Sequence, residues 1–441
     1  MNTLNDEQQT VVNAISKMQG SDRLVISGRA GSGKTFAIAN AVADRSALFL
    51  TPTHAARTVL ERELHDNRHV VMTIHSAIGW YKDRDKNLET VERYLPAKMT
   101  RQRTSELTSQ SSNPFTKASI ICVDECSMVG AFLFEAVEEY ATEFGLPVVY
   151  IGDRFQLPPV RDCEVITKQG FPTITLNKSM RFSENSDMFL LGETLRDAIE
   201  NRPNEKLPCL FGGDAVQVMS KKTWMEQLRK EYANGEDLLA VTSDNATLHR
   251  LRRKVRKVDH DRLYSGDVVM SKQTDQQFRN GEQFTIIGVE HAIRALPDVP
   301  GCLSRRRALE ISGYSISFEG TDKKAFVQNC EKEADDLRKC IVHLYKTGKL
   351  SHAEASRAMD WVDEINRFEL SALATVHKSQ GRSVDTVYID TATVLRKPNW
   401  VSSVDHLRLL YTAITRPRHR VVFYQMPTYC EPRVDDVPMA A

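Results

Sequence analysis

The segment GRAGSGKT, residues 28–35, constrains the fold of this chain more than any other feature. It matches the pattern GxxxxGK(S/T), in which glycines let backbone N–H groups surround a phosphate at the start of a helix. The preceding RLVISG predicts a buried strand, and FAIANAVA predicts the helix that follows. This order predicts a nucleotide-binding α/β domain in which Lys34 contacts the β- and γ-phosphates and Thr35 binds Mg²⁺.

Continuous apolar runs between helical stretches predict two parallel sheets, each covered on both faces. Because ligands bind at the carboxyl ends of parallel strands, the polar residues that end the first-half runs should line one crevice. The runs are RLVISG, ALFLTP, SIICVDE and PVVYIGD in the first half, and LLAVTSD, LATVHKSQG, TVYID and RVVFYQ in the second.

Three segments fit neither sheet. Residues 82–117 are charged and then rich in Ser, Thr and Gln, which is typical of an insertion. Residues 264–318 contain short strands separated by turns, as in a small β-barrel. Residues 322–368 are charged and have the apolar spacing of a helical hairpin.

Composition is that of an ordinary soluble globular protein, with 41% hydrophobic and 27% charged residues among 441. No apolar run approaches the roughly 18 residues that span a bilayer, and the polar N-terminus does not resemble a signal peptide. Eight cysteines without CxxC pairs fit a reducing cytoplasm. The formal net charge is +1, so any nucleic-acid groove must be a local feature.

Several polar groups follow predicted strands and could complete a nucleotide site. Asp124 would hold Mg²⁺, and Glu125 would orient or deprotonate the attacking water. Gln156, in GDRFQLPPV, could contact a γ-phosphate. Near the C-terminus, YTAITRPRHR predicts a basic helix end. Solvation and the helix dipole are one explanation for its Arg416, and contact with the bound phosphate is the other.

Three further segments combine hydroxyl, imidazole and backbone groups, which suit a phosphodiester backbone because they donate hydrogen bonds without identifying bases. They are TPTHAAR, TIHSAIGW and VHKSQGRSVD. Trp80 and Tyr81 could stack on bases, although core packing is the alternative. The basic segment HRLRRKVRK, residues 249–257, is more typical of a solvated helix than of a DNA contact.

In their order and spacing these segments resemble superfamily 1 helicases, and most closely the 1B branch that contains RecD and the phage Dda helicase. The matching segments are LNDEQ, GRAGSGKT, TPTHAAR, TIHSAIGW, VDECSM, GDRFQLPPV, LNKSMRF, VHKSQG and LLYTAITRPR. The resemblance covers nearly the whole chain. It is weakest in residues 82–117 and 297–368.

The resemblance implies a role for each matched residue. The ATP-binding residues would be Gln8, Gly28, Ala30, Gly31, Ser32, Gly33, Lys34, Thr35, Gln380 and Gly381. The catalytic residues would be Lys34, Asp124, Glu125, Gln156, Arg181 and Arg416, with Thr35 and Asp124 holding Mg²⁺. The contacts with single-stranded DNA would be Thr51, Pro52, His54, His75, Ser76, His377, Lys378 and Ser379.

The resemblance also implies an α/β architecture of two RecA-like P-loop domains with parallel sheets. The first would comprise residues 1–81 and 118–178, and the second residues 179–262 and 370–441. A small pin-bearing insertion would occupy residues 82–117. An SH3-like β-barrel with a helical tower would occupy residues 263–369.

The implied function is an ATP-dependent DNA helicase of replication or recombination that translocates 5′ to 3′ on single-stranded DNA. Its cofactors would be ATP and Mg²⁺, and its partners single-stranded and fork or tailed duplex DNA, with a single-stranded DNA-binding protein as a further candidate. The protein would function as a monomer and would not associate with a membrane. It would act in the cytoplasm, which would be that of the host if the gene is phage-encoded. Three alternatives stay open: a protein-stripping translocase, the motor subunit of a recombination nuclease, and a P-loop kinase or nucleotide switch.

Overall fold

The computed structural model divides the chain into two compact units. The first comprises residues 1–79, 95–259 and 372–441, and the second comprises residues 80–94 and 260–371. The residues described are 4–64, 68–106, 113–159, 162, 164–180, 182–183, 185–203, 213–260, 262–272, 277–295, 310–328, 331–365 and 367–425. Within these ranges, every helix is too short or too polar to cross a membrane.

The secondary structure alternates strands and helices along most of the chain. The strands are β1 (Arg23–Gly28), β2 (Ala47–Thr51), β3 (Val70–Thr73), β4 (Tyr81–Arg84), β5 (Thr90–Arg93), β6 (Ile120–Val123), β7 (Val148–Gly152), β8 (Thr173–Leu176), β9 (Val216–Met219), β10 (Leu238–Thr242), β11 (Val268–Ser271), β12 (Gln283–Ala295), β13 (Glu310–Phe318), β14 (Lys324–Gln328), β15 (Phe368–Leu370), β16 (Leu373–Thr375), β17 (Val384–Ile389) and β18 (Pro417–Tyr424). The helices are α1 (Asp6–Ile15), α2 (Lys34–Ala41), α3 (His54–Glu63), α4 (Ile74–Ala77), α5 (Ala97–Glu106), α6 (Pro114–Lys117), α7 (Ala131–Phe144), α8 (Asp187–Asn201), α9 (Lys221–Ala233), α10 (Asn245–Arg256), α11 (Glu331–Lys346), α12 (His352–Asp363), α13 (Val376–Ser379), α14 (Thr391–Val394) and α15 (Ser403–Ile414).

The first unit contains two parallel, RecA-like sheets, which confirms the predicted α/β class. The first sheet has the order β3-β2-β6-β7-β1-β8, and the second has the order β16-β10-β17-β18-β9. Strands β2, β6, β7 and β10 are buried along their whole length, as continuous apolar runs require. The carboxyl ends of the strands in each sheet therefore lie at one edge, where ligands bind in such folds.

A separate apolar core supports each sheet. In the first, Val11 and Ile15 of α1 and Ile38 of α2 pack with Phe49 and Ile151 of the strands. The second core is formed by β10, β16, β17, β18, α8 and α15, and it also includes Phe155 and Leu157. These two residues follow β7 of the first sheet, so the second core continues into the loop after β7.

The second unit is built on an antiparallel sheet with the order β14-β13-β12-β11-β15. Four aromatic rings, Phe278, Phe284, Phe318 and Phe368, pack edge-to-face or tilted on one another beside this sheet. Helices α11 and α12 form the predicted hairpin, but residues 322–368 are not helical throughout, because β14 opens this segment and β15 closes it. The SH3-like description stays a prediction.

Residues 82–117, predicted as one insertion, divide between the two units. The β4–β5 hairpin belongs to the second unit, where Leu88 at its turn is buried among residues of α11 and α12. Helices α5 and α6 pack on α7 in the first unit, and Phe115 is buried against Tyr140 and Phe144. Phe115 is therefore a core residue and is not available as the tip of a pin.

Candidate nucleotide site and nucleic-acid interface

The glycine loop has the backbone conformation that its sequence predicts. Gly31 and Gly33 both have a φ of 75°, and α2 begins directly afterwards at Lys34. A Cβ atom on Gly33 would lie 2.5 Å from Nε2 of Gln8, so no larger residue fits. The Lys34 ammonium donates to the carbonyl oxygens of Gly28 and Arg29 at 2.7 and 2.8 Å. Two carbonyl groups of the loop thus hold the ammonium group of Lys34.

Gln8 lies against this loop, as predicted for a nucleotide-binding residue. Its side chain is 1% exposed, and its Nε2 donates to the Ser32 carbonyl at 3.4 Å. Gln8 Oε1 also accepts from the Asn5 backbone N–H, while Asn5 Oδ1 accepts from that of Gln8. This capping box fixes the start of α1 beside the loop.

The two candidate carboxylates follow β6. Asp124 Oδ1 accepts from the Glu125 backbone N–H at 2.9 Å, and Glu125 has a φ of 52°, which is unusual for a residue with a side chain. Burial, and then the charge of Glu125, raise the pKa of Asp124 to about 7, while Lys34 acts in the opposite direction. A cation beside Asp124 would relieve this cost of ionisation.

The donors near Asp124 suit Mg²⁺, which prefers oxygen ligands. Asp124 offers a carboxylate and the half-buried Thr35 a hydroxyl. In the described residues, the buried Ser32 hydroxyl has no hydrogen-bond partner, so a polar group is left for a bound nucleotide or its hydration shell. These residues therefore fit a nucleotide with its divalent cation.

Arg416 lies close to Gln156, and both are buried. Its Nη2 donates to Gln156 Oε1 at 2.8 Å, and the two side chains are 3% and 4% exposed. Its Nε donates to the Thr412 carbonyl at 3.1 Å. Burial lowers the pKa of Arg416, and the carboxylates of Glu125 and Asp153 oppose this shift. The second-half arginine thus faces the carboxylates and glutamine of the first half.

Other contacts join the two halves around this pair, and the sequence did not identify them. The Leu157 N–H donates to the Thr412 hydroxyl at 3.0 Å, and Gln380 Nε2 donates to the Leu157 carbonyl at 3.1 Å. Tyr411 donates its hydroxyl to Asp153 at 2.7 Å, and burial raises the pKa of that hydroxyl well above its ordinary value. Only the family motif YTAITRPR contained a signal for Tyr411 and Thr412.

Helix α8 reaches the glycine loop through an ion pair that was also missed. Arg29 Nη1 lies 3.0 Å from Glu193 Oε1, and its guanidinium stacks 4.7 Å from the centre of the Phe189 ring. Arg196, on the same helix, stacks 4.3 Å from the Phe155 ring. A cavity lined by Arg29, Phe189, Arg196 and Thr415, among others, opens at this junction.

The predicted DNA segments lie at the carboxyl edges of both sheets, and they share one local structure. Strand β3 ends at Thr73 and β16 ends at Thr375, and each threonine caps the short helix that follows. Thr73 pairs in register with Thr51 of β2, as Thr375 does with Thr242 of β10. The two sheets therefore present matching edges, each with a histidine in the turn after its outermost strand.

Six of the eight predicted DNA contacts are accessible in part or fully: Pro52, His54, His75, Ser76, His377 and Lys378. Thr51 is wholly buried and donates its hydroxyl to the Thr53 carbonyl. Ser379 is also wholly buried and donates to the Val376 carbonyl. Both hydroxyls are therefore bonded to the backbone of their own segments, Thr51 at the end of β2 and Ser379 at the end of α13. Burial lowers the pKa of His377, which favours its neutral form.

The remaining predicted arginines have different outcomes. Arg181 lies outside the described residues. The last two arginines of YTAITRPRHR, taken from the sequence as solvated, differ: that interpretation is wrong for Arg420, whose half-buried guanidinium pairs with Glu231 and donates to Thr386. Arg418, in the strand that Pro417 begins, pairs with Asp385 and Asp237 and is more exposed.

Comparison with known proteins agrees with this geometry. Residues 3–205 match the family model of the AAA domain, and residues 370–424 match that of the UvrD-like helicase C-terminal domain. In these two regions the chain is similar to helicase-type ATPases.

The chain is 24% identical over 323 residues to the uncharacterized protein R530 of Acanthamoeba polyphaga mimivirus. The match covers 64% of the chain and 62% of that relative, so the chain spans less than two thirds of its length.

Among solved structures, the fold resembles that of Pif1 helicases. A Pif1 structure concerned with DNA unwinding at forked double-stranded DNA is 16% identical, with a TM-score of 0.53, and the match covers 98% of this chain and 95% of that one. Pif1 from Candida albicans is 17% identical, with coverage of 97% and 95% and a TM-score of 0.45. The first likeness supports a shared fold.

Proposed function

We propose that this protein is a motor that uses ATP to translocate on single-stranded DNA and to unwind duplex DNA. One observation supports this most directly: Arg416 of the second sheet domain donates to Gln156 of the first, beside the glycine loop. A nucleotide site assembled from two halves makes its geometry depend on how closely the halves approach. A small-molecule kinase does not require a second parallel-sheet domain of this kind.

The proposed cycle follows from the charges on either side of the site. Lys34 would leave the Gly28 and Arg29 carbonyls to contact the β- and γ-phosphates of ATP. Arg416 would contact the γ-phosphate from the opposite side, with Gln156 holding its guanidinium. Asp124 and Thr35 would hold Mg²⁺, which neutralises phosphate charge, and Glu125 would accept a proton from the attacking water. Loss of the γ-phosphate removes the group that both sides bind, so the halves can separate.

The matching sheet edges supply the proposed DNA path. One edge presents Pro52, His54, His75 and Ser76, and the other presents His377 and Lys378. Imidazole, hydroxyl and backbone N–H groups can bind phosphates without selecting a base sequence. Because each edge belongs to a different sheet domain, opening and closing of the site would move two grips relative to each other along one strand.

The polarity proposed is 5′ to 3′, and it rests on the resemblance to the RecD and Dda branch and on the Pif1-like fold. Replication or recombination at forks and tailed duplexes is the proposed setting. The β4–β5 hairpin of the second unit is the proposed strand-separating element. The resemblance had implied this role for residues 82–117 as a whole. We narrow it to the hairpin because α5 and α6 of that segment pack on α7.

Two measurements test this function. ATP hydrolysis should rise at least about tenfold with single-stranded DNA, which is about 1.4 kcal/mol in the barrier. Duplexes with a single-stranded tail should be unwound when the tail is 5′ and not when it is 3′. Lys34→Ala should abolish both activities. A rate of ATP hydrolysis that is the same with and without single-stranded DNA would exclude a motor and favour a kinase or a nucleotide switch. Stimulation with unwinding only from 3′ tails would reverse the polarity, and stimulation without unwinding would leave a translocase.

A further inference from the structure

Helix α10 has one apolar face and one strongly basic face. Leu248, Leu251 and Val255 are buried in the second sheet domain. Arg250, Arg253, Lys254 and Lys257 are all exposed. Their spacing of three, one and three residues places these four side chains on neighbouring turns of a single surface. These four charges thus form a stripe, while the other two cations of the helix, Arg252 and Arg256, are buried and half-buried.

The stripe is not balanced by acidic residues on its own helix. Residues 245–258 contain six lysines and arginines and no aspartate or glutamate. Since the whole chain has a formal net charge of +1, the remaining residues sum to −5. Among the described residues, none of the four exposed side chains forms an ion pair with a carboxylate. Arg250 donates to Thr247, one turn earlier. A concentrated, uncompensated charge on a nearly neutral chain indicates a polyanionic ligand.

The fold places the start of α10 at the proposed DNA path, and the stripe begins at Arg250, about 9 Å further along the helix at 1.5 Å per residue. Strand β10 ends at Thr242, whose register partner Thr375 caps the helix that contains His377 and Lys378. Thr242 donates to the Asp244 carbonyl at 3.0 Å, as Thr51 donates to that of Thr53 at 3.0 Å in the first sheet.

Asp244 and Thr53 then cap α10 and α3 in the same way. Helix α10 is therefore the counterpart of α3, whose first residues include the proposed contact His54. Of these two helices only α10 carries a basic stripe. The helix extends about 18 Å from this edge at 1.5 Å per residue, and the stripe lies on its C-terminal part.

We infer that the exposed basic face of α10 extends the single-stranded DNA site. This face binds the backbone phosphates of the part of the DNA that lies beyond β16. This inference rests on the proposed function, because it takes the carboxyl edge of the second sheet as part of the path. Arg250, Arg253, Lys254 and Lys257 bind backbone phosphates and no bases. The extension adds affinity and salt dependence, and the ATP site remains complete without it.

The test variant is R250Q/R253Q/K257Q. Glutamine is a good helix former, so α10 should persist. Lys254 is left in place so that the variant loses three charges. The matched control is K17Q/K117Q/K168Q, which removes the same charge from exposed positions on other elements. A second variant, R250K/R253K/K257R, keeps the charges and should retain wild-type affinity.

Binding is measured by fluorescence anisotropy at several NaCl concentrations. One probe is a short oligothymidylate that fills only the path between the two sheet edges, and the other extends beyond it by about 18 Å. For the long probe, R250Q/R253Q/K257Q should bind on the order of tenfold more weakly. Its slope of log affinity against log salt should fall by about 2, at roughly 0.7 per phosphate contact. The short probe should bind as it does to the wild-type protein.

Each other outcome overturns the inference. If R250Q/R253Q/K257Q and K17Q/K117Q/K168Q weaken the long probe equally, the effect is one of net charge. If only a duplex probe or poly-glutamate loses affinity, the stripe serves duplex DNA or an acidic protein. If both single-stranded probes weaken together, the stripe belongs to the central path. Stimulation of ATP hydrolysis by the short probe is recorded in parallel: its absence in the wild-type protein would refute the motor, whatever the stripe binds.

Discussion

At the scale of single residues, Arg416 links the two sheet domains at the nucleotide site. Its guanidinium is buried and donates to Gln156, which lies in the loop after β7 of the first sheet. We expect Arg416→Ala to reduce DNA-stimulated ATP hydrolysis at least about 10³-fold, the lower end of the usual contribution of an arginine that contacts a transferring phosphate. Affinity for single-stranded DNA should be unchanged, because the DNA edges do not include this residue.

Arg418→Ala is the matched control for this prediction. Arg418 is two residues away, but it pairs with Asp237 and Asp385 at the exposed start of β18. Steady-state hydrolysis with saturating DNA should therefore stay close to wild type in Arg418→Ala. Equal turnover in the two variants would show that Arg416 supports the fold and not the chemistry.

The raised pKa of Asp124 predicts that the stability of the protein depends on pH. The folded-state pKa of this group is raised to about 7 from the ordinary value of 3.8. Between these values the folded protein binds more protons at this group than the unfolded chain does, so stability falls as pH rises through this interval. Asp124→Asn should remove that fall. In nucleotide-free protein, its Tm should exceed that of wild type at pH 8 by a few degrees and match it at pH 4, by calorimetry.

The same group should also govern activity, since a carboxylate must be ionised to hold a cation. The value of kcat/KM for ATP reports the free enzyme, so it should rise with pH and level off above about 7. Asp124→Asn should be inactive throughout. A wild-type profile that is flat between pH 5.5 and 8 would contradict the raised pKa.

At the scale of elements, Gly381 is the point where the two DNA edges approach each other. It follows α13 with a φ of 72°, and a Cβ there would lie 3.2 Å from both Thr53 Oγ1 and Ala56 Cβ at the start of α3. Gly381→Ala should therefore cost the roughly 1–2 kcal/mol of a left-handed residue and, in addition, push α3 away. We expect a lower Tm and weaker stimulation of ATP hydrolysis by DNA.

Gly145→Ala isolates the backbone part of that effect. Gly145 has a φ of 64°, ends α7 in the same unit, and has open space where a Cβ would be. Both variants should lose Tm, and only Gly381→Ala should lose stimulation by DNA. The same loss of stimulation in both would mean that general destabilisation, and not the approach of α13 to α3, is responsible.

The elements also show what the sequence could and could not predict. The central strands were predicted closely, because burial on both faces requires continuous apolar runs such as LLAVT of β10. The edge strands β3, β8 and β9 were missed, since partly exposed strands need no such run. Strand β16 was predicted too long, because Thr375 caps a helix where the apolar pattern continues.

The candidate site was predictable where one local motif determines the contact, as in the glycine loop and Asp124. Contacts that depend on distant parts of the chain were not predictable. Arg29 with Glu193, and Leu157 with Thr412, join residues 164 and 255 positions apart. The burial of Thr51 and Ser379 was not predictable for a related reason: a hydroxyl at the end of a strand or short helix can bond the backbone as readily as a ligand.

At the scale of the whole molecule, the ATP site and the β4–β5 hairpin belong to different units. The chain passes between the units four times, at residues 79–80, 94–95, 259–260 and 371–372. The hairpin emerges from the first unit but packs within the second, where Tyr345 donates to the Lys86 carbonyl and His352 bonds that of Asp85. The residues of the ATP site and the hairpin proposed to separate strands are therefore supported by separate cores, so a mutation should be able to affect one and spare the other.

Substitution of Arg84 should affect strand separation and spare ATP hydrolysis. Arg84 lies at the end of β4, and its guanidinium pairs with Asp363 and, at 3.2 Å, with Asp360 of α12, while Nη1 donates to the Leu88 carbonyl at 3.2 Å. Arg84→Ala would leave Asp363 with Arg338 and free the turn of the hairpin. If the hairpin separates strands, unwinding of 5′-tailed duplex should fall at least about tenfold, which is about 1.4 kcal/mol of coupling. ATP hydrolysis with single-stranded DNA should not change.

Arg93→Ala provides the comparison, because Arg93 lies on β5 of the same hairpin and, within the described ranges, pairs only with Asp83 across the two strands. That pair is exposed, and such pairs contribute about 0–1 kcal/mol, so both activities should persist. If the hairpin has no part in strand separation, Arg84→Ala should unwind 5′-tailed duplex as the wild-type protein does. A parallel loss of hydrolysis and unwinding would mean that the units communicate through the hairpin, which would join the motor cycle itself.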